Sequence, residues 1–144
     1  MPMRNRTLFV LAAVLAGVSL RGHACPIAPS DVILWDTDFS RELADVVALV
    51  TVASWTKTEQ WGAKAELIVE HVWKGELGSR WTITQDLATD CDYALQRNVR
   101  YVIFAKLRDD GKVSVSAVAD GALSIVVDRL NGKTTEPPRL AIGR

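Results

Sequence analysis

Residues 44–55, ADVVALVTVASW, decide the fold of this chain. Val46, Ala48, Val50 and Val52 fall on one face of an extended backbone, and Val47, Leu49 and Thr51 on the other. β-Branched residues dominate, as they do in strands. A strand that is apolar on both faces is predicted to lie between two layers, with little solvent exposure.

Four more strands follow. Residues 64–73 (KAELIVEHVW) alternate Ala65, Leu67, Val69 and His71 with Glu66, Ile68, Glu70 and Val72, and end at Lys74-Gly75. Residues 80–85 (RWTITQ) alternate Trp81 and Ile83 with Thr82 and Thr84. Residues 100–107 and 112–118 form a hairpin through Asp109-Asp110-Gly111. Five short strands in about 75 residues, separated by turn residues, predict a small antiparallel barrel or sandwich. Leu123, Val126, Val127 and Leu130 then recur at helical spacing, so residues 123–130 read as a short helix stopped by Asn131-Gly132. Their β-branched content keeps a sixth strand as the alternative. Ahead of the first strand, residues 26–43 contain two prolines and read as irregular. Phe39 and Leu43 are the expected buried anchors there, with one helical turn over residues 40–43.

The N-terminus has the three zones of a secretory signal peptide. Arg4 and Arg6 come first, an apolar run over residues 8–20 follows, and Gly22-His23-Ala24 precedes Cys25. Thirteen residues are too few to span a bilayer core, which needs about 20 in a helix. Residues 1–24 are therefore read as the signal, residues 25–132 as one domain and residues 133–144 as a tail. A retained anchor and lipidation of Cys25 are the alternatives. The expected location is secreted or periplasmic, with no membrane span once the signal is removed. Cleavage leaves 14 basic against 17 acidic residues, a net charge of −3, which argues against nucleic acid as a partner. Two cysteines remain, Cys25 and Cys91, and an even count in an oxidising compartment reads as a disulfide. Such a bridge would close a loop of about 66 residues, for which chain entropy gives about 4 kcal/mol.

Little else carries chemistry. His71 is the only histidine after residue 24, so no zinc or copper set and no catalytic triad is expected. Asp31, Asp36 and Asp38 lack a calcium-loop pattern, and Asp90 and Asp92 merely flank Cys91. No Gly-x-Ser-x-Gly or glycine-rich phosphate loop occurs. The chain is read as a binding protein, with no catalytic residue, metal or cofactor. Trp73 and Trp81 are expected to cover the barrel core. Trp55 and Trp61 bracket residues 56–60, read as a loop, and form the candidate partner surface.

Five elements in order resemble the netrin-like domain of the tissue inhibitors of metalloproteinases and their bacterial relatives. They are Cys25 behind a signal peptide, Ala44-Asp45-Val46-Val47, Val72-Trp73-Lys74-Gly75, Thr89-Asp90-Cys91-Asp92-Tyr93 and Tyr101-Val102-Ile103-Phe104-Ala105. The resemblance spans about residues 25–120. It implies a five-stranded antiparallel OB-type Greek-key barrel, a Cys25–Cys91 disulfide, and a protein partner that is a zinc metalloprotease. The α-amine and carbonyl of Cys25 would chelate the protease zinc, and Pro26 would occupy the specificity pocket. Where the inhibitors carry Cys-x-Cys, this chain has Cys25-Pro26-Ile27. The alternative is a cell-envelope interaction module without inhibitory activity.

Overall fold

A computed structural model describes residues 30–88 and 93–133. Two short helices, α1 (Ser30–Trp35) and α2 (Thr37–Leu43), lead into β1 (Val46–Glu59), β2 (Gly62–Lys74) and β3 (Arg80–Asp86). Then come β4 (Arg100–Leu107), β5 (Val113–Val118), a 3₁₀ turn at Asp120–Ala122 and α3 (Leu123–Leu130). The strands close into a barrel in the order β1-β2-β3-β5-β4, an OB-type arrangement followed by the expected C-terminal helix.

The barrel is mixed, not wholly antiparallel. β3 and β5 run parallel, paired at Gln85 and Val113, while the other neighbours are antiparallel. Directions cannot alternate all the way round a ring of five strands, so one neighbouring pair must be parallel.

β1 has the predicted two-faced character. Val46, Ala48, Val50 and Val52 enter the barrel interior with Leu67, Ile83, Tyr101, Ile103 and Val115. Val47 and Leu49 point outward into a second apolar layer with Val102 and Phe104, covered by Ile33, Val126 and Leu130 from the helices. The helical coat is therefore held by side chains from the same strands that build the barrel interior.

Bulges shift the alternation of β1 and β2. Val50 pairs with Val69 but Leu49 with His71, leaving Glu70 as an extra residue. Val72 consequently packs on the interior, while His71 turns out and meets Trp73 edge-on, with ring centroids 4.7 Å apart. Ala53 is the extra residue between the Val52–Leu67 and Ser54–Glu66 pairs, which turns Trp55 inward. Most of the loop expected at residues 56–60 is strand: β1 runs to Glu59, and Gln60-Trp61 alone makes the turn into β2.

Gly75, which ends the Trp73-Lys74-Gly75 run, has φ of +86°. A Cβ there would stand 3.0 Å from Val46 Cγ2 and 3.1 Å from the Asp45 carbonyl, so both conformation and space require glycine.

The segment before β1 is more ordered than expected. Asp36 caps α2 by accepting the Phe39 N–H at 2.9 Å. Thr37 and Ser40 hydroxyls donate back to the Ile33 and Asp36 carbonyls at 2.8 and 2.9 Å. The fully buried anchor is Ile33; Leu43 is half-buried, and Phe39 is 47% exposed, contrary to its expected burial. Helices of six and seven residues give too little period to read in sequence, and tertiary packing stabilises them.

Candidate binding edge along β5

The outer edge of β5 is finished by two segments distant in sequence. Among the described residues, β3 meets β5 at the Gln85–Val113 pair alone, so the β5 edge beyond it has no strand neighbour. The Tyr93 N–H donates to the Val115 carbonyl at 2.8 Å. The Ser30 hydroxyl donates to the Ala117 carbonyl at 2.9 Å and lies 3.3 Å from the Ser116 hydroxyl. Carbonyls two residues apart on a strand point the same way, about 7 Å apart. Ser30 and Tyr93 are thus held side by side.

Gln85 secures the Tyr93 segment from inside. It is fully buried, accepts the Trp55 indole N–H at 3.1 Å on Oε1, and donates from Nε2 to the Tyr93 carbonyl. A buried amide needs such partners, and here both ends of it are used. Tyr93 itself is exposed and stands edge-on to buried Tyr101, with centroids 5.8 Å apart. The Tyr101 hydroxyl accepts the Gln96 N–H at 3.1 Å, and burial pushes its pKa upward.

The tryptophans divide. Trp55 is half-buried and serves as a strut to Gln85, whereas Trp61 stands 55% exposed at the β1–β2 turn. They do not form one exposed surface. Near Trp61, Arg108 pairs with Asp86 and Asp110, and Lys112 with Glu59 at 3.1 Å. Trp81 packs on the barrel interior as expected, but Trp73 belongs to the outer layer. Cys25, Pro26, Cys91, Asp90 and Asp92 lie outside the described residues. Among the described residues, no group of three or more His, Cys, Asp or Glu side chains is arranged to hold a metal. No helix among them is long and apolar enough to cross a membrane.

Gln85 and Ser30 were not singled out in the sequence, and Tyr93 entered only as the last residue of the Thr89–Tyr93 element. A signal for Gln85 existed, because it continues the inward alternation of Trp81 and Ile83. Ser30 and Tyr93 meet through β5 and carry no local signal.

On the opposite flank of β1, the bulge residue Glu70 accepts the Thr51 hydroxyl at 2.8 Å and the Arg100 guanidinium at 2.6–3.1 Å. The Arg100 hydrogen bonds chiefly hold the Glu70 carboxyl below its ordinary value. Burial pushes Asp45 upward, but the Leu107 N–H and Lys106 outweigh it, and the net shift is downward. Carboxyls lowered in the fold favour folding above their unfolded-chain values near ~4, and that contribution is lost as pH falls through the folded values. The urea midpoint is expected to drop between about pH 5 and 3, and Glu70→Gln to flatten part of that slope. An identical slope in the variant would show that the Glu70 pair adds nothing measurable, as exposed pairs can.

No protein-family model matches the chain, and no curated protein matches it.

Proposed function

We propose that the mature chain is an exported, non-enzymatic binding domain of netrin-like type that begins at Cys25 and acts on a protein partner. In its sharpest form the partner is a zinc metalloprotease, with the Cys25 α-amine and carbonyl as ligands to the protease zinc. The observation that carries this reading is the adjacency of Ser30 and Tyr93 on the β5 edge. Cys25 is five residues before Ser30, and Cys91 is two residues before Tyr93. Extended chain covers about 18 Å and about 7 Å over those lengths, so a Cys25–Cys91 bond needs little of the available reach. The bond would set the new N-terminus beside exposed Tyr93. An α-amine with a pKa near ~7.7–8.0 supplies a neutral nitrogen ligand at physiological pH. The closed β1-β2-β3-β5-β4 barrel and the glycine-requiring turn at Gly75 support the same family.

Two measurements test this. Intact mass with and without reductant is expected to show a chain starting at Cys25 and a gain of two hydrogens on reduction. Inhibition of a panel of zinc endopeptidases is then compared before and after acetylation of the N-terminus. Loss of inhibition on acetylation supports chelation by Cys25. Inhibition that acetylation leaves unchanged, or no inhibition by either form, sinks that mechanism. The second outcome favours the envelope-module reading, for which exposed Trp61 at the β1–β2 turn supplies a contact surface.

A further inference from the structure

Trp35 and Phe39 are exposed aromatic residues that the β5 edge does not use. Trp35 ends α1, Phe39 lies four residues on in α2, and they are 48% and 47% exposed. Exposed acidic residues Asp36, Asp38 and Glu42 border them. Two bulky aromatic side chains four residues apart in sequence and half open to water mark a face that gains by being covered.

The end of α3 is tied to both sides of this pair. The Arg129 guanidinium donates to the carbonyl of Leu34, the residue before Trp35. The Trp73 indole N–H donates to Asn131 Oδ1 at 2.8 Å, and the Trp73 carbonyl accepts Arg41 Nη2 at 3.3 Å, two residues past Phe39. A Schellman turn then stops the helix. Gly132, at φ +77°, donates to the Arg129 carbonyl at 3.0 Å, and the Lys133 N–H donates to that of Asp128 at 2.8 Å. Lys133 is therefore held against the last turn of α3, the turn whose Arg129 reaches the Leu34 carbonyl.

The chain continues from Lys133 as TTEPPRLAIGR, residues 134–144. Leu140 and Ile142 are its large apolar residues, flanked by Arg139 and Arg144, with Glu136 the single acid. Pro137-Pro138 oppose helix and favour extended backbone. Extended chain from Lys133 to Leu140 covers up to about 25 Å, while the whole of α3 is only about 12 Å long. Reach and apolar content match the open face, and its three acids Asp36, Asp38 and Glu42 outnumber the two cations Arg41 and Lys74 set among them.

We propose that the C-terminal segment of this chain docks on the Trp35–Phe39 face. Leu140 and Ile142 cover the rings, and Arg139 and Arg144 meet the Asp36, Asp38 and Glu42 carboxylates. This intramolecular clasp is independent of the β5-edge reading.

Hydroxyl-radical footprinting read by mass spectrometry tests it on the full chain, on Leu140→Asp/Ile142→Asp, and on a chain ended at Lys133. Oxidation of Trp35 and Phe39 is expected to rise severalfold in both variants, with Trp61 unchanged as the internal reference. The double substitution keeps the tail length, so the test stands even if the shortened chain fails to fold. Equal oxidation of Trp35 and Phe39 in the full chain and the double variant overturns the proposal. Protection in the full chain that vanishes on dilution also overturns it, because a second copy would then be the cover.

Discussion

Phe104→Ala is expected to lower folding stability by about 3–5 kcal/mol, which is much of the ~5–15 kcal/mol typical of a domain. Phe104 lies on β4 with only 1% of its surface exposed, and pairs with Val47 on one side and Ser116 on the other. Its ring belongs to the outer layer with Ile33, Val126 and Leu130, so the cavity would open between the barrel and all the helices that cover it. A barrel wall and three short helices cannot both move in to fill that space, which places the cost toward the upper end. Guanidinium titration followed by circular dichroism measures the loss, and hydrogen exchange should show α1, α2 and α3 losing protection first. Ile68→Ala, at an exposed position on β2, is the control and should change little. A loss for Phe104→Ala as small as that of the control would mean that the outer layer is not a true core.

Gln85→Leu is the second large effect, expected at about 1–3 kcal/mol. Leucine fills nearly the same volume but cannot pair with either partner of Gln85. The Trp55 indole N–H and the Tyr93 carbonyl would both lose a part-buried bond. A fully buried unmet group costs about 1–3 kcal/mol, and partners that water can partly reach cost toward the lower end of that range. Trp55→Phe removes one of those partners in advance, so Gln85→Leu should cost less in that background. The double-mutant cycle is expected to return a coupling of about 1–2 kcal/mol. The Tyr93 amide, bonded to Val115, should exchange faster in Gln85→Leu. Additive single and double variants, with unchanged exchange at Tyr93, would show that Gln85 does not hold the β5 edge together.

The legibility of the fold varied with how local its cause was. All five strands were readable, because alternation and turn residues lie within each strand or beside it. Residues 100–107 coincide with β4 and residues 123–130 with α3, whose Gly132 stop is set by a positive φ that glycine accommodates. The interior and outer sets of β1 also emerged from its own twelve residues, since period two is a property of the extended backbone. That reading stopped at Val52, because a bulge inverts the period and has no compositional mark. The error at residues 56–60 has the same origin. TKTEQ is polar enough for a loop, yet Thr56, Lys57 and Glu59 pair with the opening residues of β2 and only Gln60 enters the turn.

The candidate site was less legible than the fold. Trp55 and Trp61 looked equivalent because both flank a polar stretch, but one is bonded to Gln85 thirty residues away and the other tops a turn. Ser30 and Tyr93 are not neighbours in any local sense; two carbonyls of β5 bring them together. By itself, the sequence determined a two-faced first strand, the four strands after it and the hairpin, because each follows from backbone periodicity over a few residues, and it left residues 123–130 between a helix and a sixth strand. Only the tertiary structure decided the parallel β3–β5 closure, the separate fates of the two tryptophans and the pairing of Ser30 with Tyr93 on one edge. Those depend on which distant backbone groups remain unpaired after the barrel closes, and no local pattern of residue types records that.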